Sequence, residues 1–351
     1  MQAMLPIRGR KSERGGSVVP VARLLLVVAA VCLALGPLLA RRRQHAPPPP
    51  PLGPEAAGHE QAVAACMQRQ YTVVVSSYNR REALLHGILP HWHTCPHIRD
   101  VHVVWHNTGR PFDDERAAGA AFPKLTLRAH PENRLTRRFE PPPRLRTDAV
   151  FSADDDLGID CRLMTAAFQL WCLREAANAS SLVGFEPRLF DFVSQNASTG
   201  LGYSWDASCA GNCTYNTLWA SKGAFLHRRW YDAFSSPPYE PLRAAVDASI
   251  TGEDMLMSAV LAAHRVPAVA VHAGPDLEEA FAMPAAAQLH KHASLGHRTH
   301  GKRAGIRQRI AQAFAGQLEM LPTSDWYLVA ASGQLSRQSK PCASQKMRCT
   351  H

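Results

Sequence analysis

Three aspartates, Asp154, Asp155 and Asp156, stand together in the stretch VFSADDDLGI, between a short apolar run and a helical pattern that starts near Asp160. Carboxylates this close repel one another, so they persist where water screens them or where a cation is supplied. Alternate side chains of an extended segment share a side, which lets Asp154 and Asp156 converge on one hard divalent ion, or on one ion and a ribose hydroxyl. Such an ion keeps open positions for phosphate oxygens and neutralises a diphosphate, making a nucleoside diphosphate a good leaving group. A solvated acidic turn, with Asp160 capping the next helix, accounts for the same residues without any ligand.

The elements around the triplet would place it where ligands collect. YTVVVSSY reads as a buried strand, RREALLHGILPHW as a helix, RDVHVVWHN as a second strand and KLTLRAH as a third, a βαβ pattern. A fourth strand, DAVFSA, ends at the aspartates; MTAAFQLWCLREAA is helical, and SLVGFEPRLF and KGAFLHRRW add strands. TGEDMLMSAVLAAHRV reads as a helix and PAVAVHA as a strand. The chain is therefore expected to be α/β, and in open α/β sheets ligands bind beyond the carboxyl ends of strands.

The net charge of +10 on 351 residues does not mark a nucleic-acid binder. Residues 1–43 hold eight Lys/Arg and one acid, a balance of +7, which leaves +3 for the remaining 308. The basic stretch IRGRKSER, the apolar run Leu24 to Ala40 and the following RRR form a membrane signature, with Val18 to Ala22 extending the span and Arg23 snorkelling. Basic residues predominate before the run, which favours a cytosolic N-terminus; a cleaved signal peptide is the rival reading. HAPPPPPLGPEAAGHE is expected to be an extended polyproline stem. Three sequons, at Asn178, Asn196 and Asn212, fit a lumenal body. So do the eight cysteines outside the apolar run, Cys66, Cys95, Cys161, Cys172, Cys209, Cys213, Cys342 and Cys349. Cys209/Cys213 and Cys342/Cys349 are each close enough to close a small loop, but spacing does not determine connectivity. A zinc site at CAGNC is an alternative for the first pair.

Six segments, VVVSSYNRREAL, VHVVWHNTG, ENRLTRRF, VFSADDDLGI, LVGFEPR and TGEDMLMSAVLA, resemble the motifs of the exostosin-type domain of glycosyltransferase family 64 in order and spacing, over roughly residues 70–315. The resemblance implies a GT-A fold: a Rossmann-like nucleotide-binding half with a mixed central sheet, here on an N-terminal transmembrane anchor. It further implies Mn²⁺ or another divalent cation, a UDP-sugar donor, a glycan or glycolipid acceptor, and retention of anomeric configuration. The expected location is the Golgi or endoplasmic reticulum membrane, single-pass type II, with no nucleic-acid partner. The organisation that follows is a cytosolic tail (1–17), a signal-anchor helix (18–40), a Pro-rich stem (41–69), a catalytic domain (70–320) and a C-terminal tail (321–351).

By the same resemblance, Arg80, Asn133, Arg138, Asp154 and Asp155 are expected to contact the donor, and Asp156, with Asp154, the metal. Ser76, which stands where relatives often have Gln, and His106, where they usually have Asn, are also expected to bind the donor; at His106 the departure implies an altered uridine contact, to which histidine can still donate a hydrogen bond. Glu253 and Asp254 match the acidic pair near the anomeric carbon, Asp254 being the catalytic carboxylate that stabilises or traps positive charge on the sugar. Acids in the first turn of a helix also favour its dipole with no catalytic role. Arg303 matches an arginine that approaches the diphosphate. Relatives often carry cysteines where this chain has Gly252 and Ile306, and the joint absence implies a disulfide given up as a pair. The expected reaction is transfer of a sugar, an N-acetylhexosamine, from a UDP-sugar. The alternative is a lumenal nucleotide-sugar or glycan-binding protein that keeps the fold without turnover.

Overall fold

The computed structural model describes residues 54–107, 109, 112, 120–156, 158–185, 188–191, 202–204, 216–218, 223–273, 305–306, 309–310, 312–314, 325–329, 332 and 334–338. The chain divides into two units, residues 1–54 and 55–351, and the sheet and its helices belong to the second. No helix among the described residues is long and apolar enough to cross a membrane, and the expected span at 18–40 lies outside them.

Nine strands form one mixed sheet. In chain order they are β1 (Tyr71–Ser77), β2 (Ile98–Trp105), β3 (Leu125–Ala129), β4 (Ala149–Asp154), β5 (Leu182–Phe185), β9 (Ala224–His227), β10 (Ala268–Ala273), β11 (Asp325–Val329) and β12 (Leu335–Gln338). Their spatial order is β12-β11-β10-β5-β9-β4-β1-β2-β3. Strands β4, β1, β2 and β3 run parallel, whereas β9 is antiparallel to both β4 and β5, which makes the sheet mixed. β6 (Arg188–Asp191), β7 (Gly202–Ser204) and β8 (Asn216–Leu218) form a separate three-stranded sheet. This mixed α/β architecture fits a GT-A-like fold.

The continuous apolar run of β1 follows from burial on both faces, as parallel strands covered by helices require. Val73 and Val75 enter one core with Phe151, Phe168 and Trp171, while Val74 enters the other with Val150, Leu256 and Val260. That division is the period-2 alternation of a strand. Helix α3 (Cys161–Ala176) covers the first face, and its start is capped as the sequence allowed: Asp160 Oδ1 accepts from the Arg162 N–H at 2.7 Å. Helix α6 (Glu253–Ala263) covers the second face, with every residue from Met255 to Ala262 buried.

Several segments differ from their sequence-based reading. The helix after β1, α2, is made of Arg81–Ala83, a π-helical stretch Leu84–Ile88 and Leu89–Thr94. SLVGFEPRLF is two strands, β5 and β6, and they belong to different sheets. KGAFLHRRW supplies β9 and then turns into helix α4 (Arg229–Ser235), which is followed by α5 (Glu240–Ser249). The end of the expected stem is a helix, α1 (Pro54–Met67), because the prolines stop and AAGHEQAVAACM contains good helix formers. The region after residue 321 extends the main sheet, since β11 pairs parallel with β10 and β12 antiparallel with β11.

Two disulfides tie helices to this framework: Cys66–Cys172 joins the end of α1 to α3, and Cys95–Cys161 joins the end of α2 to the start of α3. Cys209, Cys213, Cys342 and Cys349 lie outside the described residues. Of the sequons, only Asn178 is described; it is exposed in the turn after α3.

Candidate active site

The carboxyl ends of β1, β2 and β4 meet at one edge of the sheet. Register places Ser76 of β1 opposite Asp154 of β4, and Ser77 of β1 opposite Trp105 of β2. The acidic triplet, the Ser76-Ser77 pair and His106 are therefore neighbours for a topological reason: parallel strands deliver their ends to the same side.

The cations that answer the triplet are two arginines. Arg80, in the turn after β1, donates from Nη1 to Asp155 Oδ1 at 2.5 Å and lies 3.3 Å from Asp156 Oδ2. Asp155 is also held by the Ser77 hydroxyl, which donates to Oδ2 at 2.6 Å. Arg138 is 1% exposed; its Nη2 donates to Asp154 Oδ1 at 2.6 Å and to the Ala153 carbonyl, and its Nη1 lies 3.5 Å from Glu253 Oε1. Each guanidinium thus serves two carboxylates, as its fork of donors permits. The expected alternation of Asp154 and Asp156 does not hold, because β4 ends at Asp154 and the next two residues form a turn. Asp155 and Asp156 share Arg80, and Asp154 turns to Arg138.

Opposing influences act on the buried acids. Burial pushes the Asp155 carboxyl up, against the pull of Arg80 and the Ser77 hydrogen bond. Glu253 is pushed up to about 8, first by burial and then by Asp254 beside it, with Arg138 opposing. Asp254 is half-buried in the first turn of α6, and its Oδ1 accepts from the Met255 N–H at 2.7 Å. Burial also raises the question of charge for His106. Its imidazole is 3% exposed, its Nε2 lies 2.7 Å from Ser76 Oγ, and its ring stacks on His130 with centroids 6.1 Å apart. Burial, helped by repulsion from His130, lowers its pKa to about 4, so it is neutral at physiological pH.

The structure thus brings together Ser76, Arg80, His106, Arg138, Asp154, Asp155, Asp156 and Glu253, with Asp254 adjacent. Asn133 lies in the loop leading into the 3₁₀ turn Leu135–Phe139 that carries Arg138. Arg303 falls outside the described residues. Gly252 and Ile306, where the family resemblance implies a pair of cysteines, are neighbours: a Cβ on Gly252 would lie 3.3 Å from Ile306 Cγ2.

Ser77, Thr136 and Asp247 belong to this ensemble and were not found from sequence. Ser77 carries a weak signal, as the buried partner of a singled-out serine at a strand end. Asp247 carries none: it is one of two acids on helix α5, in no motif, yet both of its oxygens bind the Thr136 segment. One further group of ligand-type atoms lies close together, His91, Cys95 and Cys161, but its two sulfurs are bonded to each other.

Exostosin-like 2 of Homo sapiens is 26% identical to the chain over 196 residues, 55% of the chain and 58% of that protein. Glycosylinositol phosphorylceramide mannosyl transferase 1 of Arabidopsis thaliana is 27% identical over 216 residues, 58% of the chain and 62% of that protein. Glucosamine inositolphosphorylceramide transferase 1 of Arabidopsis thaliana is 30% identical over 190 residues, 54% of the chain and 23% of that protein. The chain spans less than two thirds of the length of each of these relatives. Residues 71–314, which contain every described element of the arginine and carboxylate cluster, match the glycosyl transferase family 64 domain, and the chain belongs to that family.

Proposed function

We propose that the protein is a glycosyltransferase that moves a sugar, an N-acetylhexosamine, from a UDP-sugar to a glycan or glycolipid acceptor with retention of anomeric configuration. The observation that carries this reading is the pair of bridging arginines. Arg138 and Arg80 hold Asp154, Asp155, Asp156 and Glu253 at the carboxyl edge of a family 64 sheet. Asn133 and Arg138 would hold the nucleotide, with Arg303 at the diphosphate.

Asp154 and Asp156 fit a divalent cation such as Mn²⁺ by the chemistry of their donors: hard carboxylate oxygens on side chains 30% and 37% exposed, at the edge where a diphosphate would lie. When bound, the ion neutralises charge on the departing diphosphate. The side chains supply the rest. The bond between the anomeric carbon and the diphosphate oxygen breaks, and UDP leaves with the electron pair. The acceptor oxygen bonds to that carbon and gives up its proton to an oxygen of the departing diphosphate. Positive charge on the sugar ring is greatest between these events, and a nearby carboxylate stabilises it. Burial and the neighbouring Asp254 both push the Glu253 carboxyl up, which disposes the pair to share a proton, and Asp254 is the member assigned that role.

Placement in the Golgi or endoplasmic reticulum lumen on the 18–40 anchor is part of the proposal, and the two disulfides support an oxidising compartment. The test is release of nucleoside diphosphate by the full-length chain with Mn²⁺: UDP from a panel of UDP-sugars, including UDP-linked glucosamine derivatives, and GDP from GDP-mannose. One donor is expected to be turned over, with activity abolished by EDTA and reduced at least about 100-fold by Asp156→Ala or Asp254→Asn. Measurable UDP binding without turnover of any donor would instead favour the non-catalytic binding protein.

A further inference from the structure

Asp247 sits near the end of α5 with its side chain 9% exposed. Its Oδ1 accepts from the Thr136 N–H at 3.0 Å, and its Oδ2 accepts from Thr136 Oγ1 at 2.7 Å and from Arg134 Nε at 2.9 Å. The 3₁₀ turn Leu135–Phe139 begins at Arg134 with no cap from its own flanking side chain. Helical turns start with unpaired N–H groups. Asp247, 111 residues further along the chain, supplies the missing acceptor from another element.

Two residues beyond Thr136, Arg138 extends to Asp154, Ala153 and Glu253. The turn that carries the arginine is therefore held by Asp247 through Arg134 and Thr136, and its guanidinium by the site. Asp247 is also six residues before Glu253. Between them the chain makes two left-handed turns, at Ile250 with φ 51° and Gly252 with φ 93°, which join α5 to α6 by a short, sharply bent link. One carboxylate thus couples the arginine-bearing turn to the helix pair that bears Glu253 and Asp254. We infer that Asp247 is a positioning residue for nucleotide binding, acting through the 3₁₀ turn to set Arg138.

A carboxylate is required because three donors, one of them charged, converge on its two oxygens. An asparagine of the same size would set an N–H₂ against N–H or O–H donors and keep only part of the set.

This inference rests on the reading that Arg138 holds the nucleotide, and the experiment separates the two. UDP with Mn²⁺ is titrated by calorimetry into the full-length chain and into Arg138→Gln, Asp247→Asn and the double variant, with a thermal melt of each. If Arg138→Gln leaves UDP affinity unchanged, the reading of Arg138 fails, and the inference with it. If Arg138→Gln weakens UDP, Asp247→Asn is expected to weaken it by about tenfold, and the double variant to bind no more weakly than Arg138→Gln alone. A purely structural role for Asp247 would make the two losses multiply. Asp247→Asn affinity within twofold of the native chain, or multiplying losses in the double variant, overturns the inference. Should Asp247→Asn not fold, Thr136→Val removes one of the three bonds at nearly constant volume, and the same cycle with Arg138→Gln decides.

Discussion

His106 is a buried imidazole bound to a strand-end serine. It follows β2, at a position where the family resemblance implies asparagine, and it is bound to Ser76, where the same resemblance implies glutamine. The two positions are thus in direct contact across neighbouring strand ends, a pairing that the sequence does not show. Because burial lowers the imidazole pKa to about 4, the folded state takes up its proton later than the unfolded chain does as pH falls. A histidine with a depressed folded pKa contributes stability that is fully present above its unfolded value near 6.5 and is lost as pH falls toward 4. The contribution lost by pH 5 is about 2 kcal/mol. Urea unfolding of the native chain and of His106→Asn, compared at pH 7.5 and pH 5, should show the native chain losing that much more than the variant. Parallel pH profiles for the two proteins would exclude His106 as the source.

At the scale of elements, the start of α6 is the joint on which the acidic pair depends. Gly252 precedes Glu253 with φ 93°, a region that side chains with a Cβ rarely occupy, and it faces Ile306 and Ile310. The contact between Gly252 and Ile306 gives the joint absence of cysteines a physical form: apolar packing occupies the place where the family's covalent link is expected. Gly252→Ala should destabilise the protein by about 1–2 kcal/mol from the left-handed conformation alone. Its Cβ would also press on Ile306 Cγ2 at 3.3 Å, so repacking adds to the cost. Chemical denaturation measures that loss, and a variant as stable as the native chain would show that the joint relaxes without strain. The elements themselves were largely legible. β1, β2, β4, β10, α3 and α6 follow from period, and α3 from its Asp160 cap as well. α1, α4, α5, β11 and β12 were not legible, because they are short, or exposed, or lie where composition gave no clean alternation.

Among the described residues, the unit spanning 55–351 is built on a sheet with helices on both faces, stapled by disulfides between helices that are far apart in sequence, with separations of 106 and 66 residues. Both staples end on α3, the helix that also follows the acidic triplet, so they restrain the site from behind as well as the fold. Asn178 adds a marker of compartment. It is exposed at the end of α3 with φ 52°, a left-handed helix-ending position that asparagine tolerates. α3 starts beside the triplet and runs for 16 residues, about 24 Å, so a glycan on Asn178 would stand clear of the site. In cells that glycosylate secreted proteins, the full-length chain with Asn196→Gln and Asn212→Gln should retain one N-glycosidase-sensitive mass increment. Further replacement by Asn178→Gln should remove it. Absence of that increment, together with free thiols at Cys66, Cys95, Cys161 and Cys172, would contradict a lumenal domain. By itself the sequence determined the family, the strand and helix order, and the presence of acids at a strand end and at a helix start, because those signals are local in period and motif. Only the tertiary structure decided that Arg80 and Arg138 answer the triplet, that Asp247 caps the arginine turn, which cysteines pair, and that Gly252 meets Ile306. Those are pairings between distant positions, and no local pattern encodes which of many chemically suitable partners the folded backbone brings within reach.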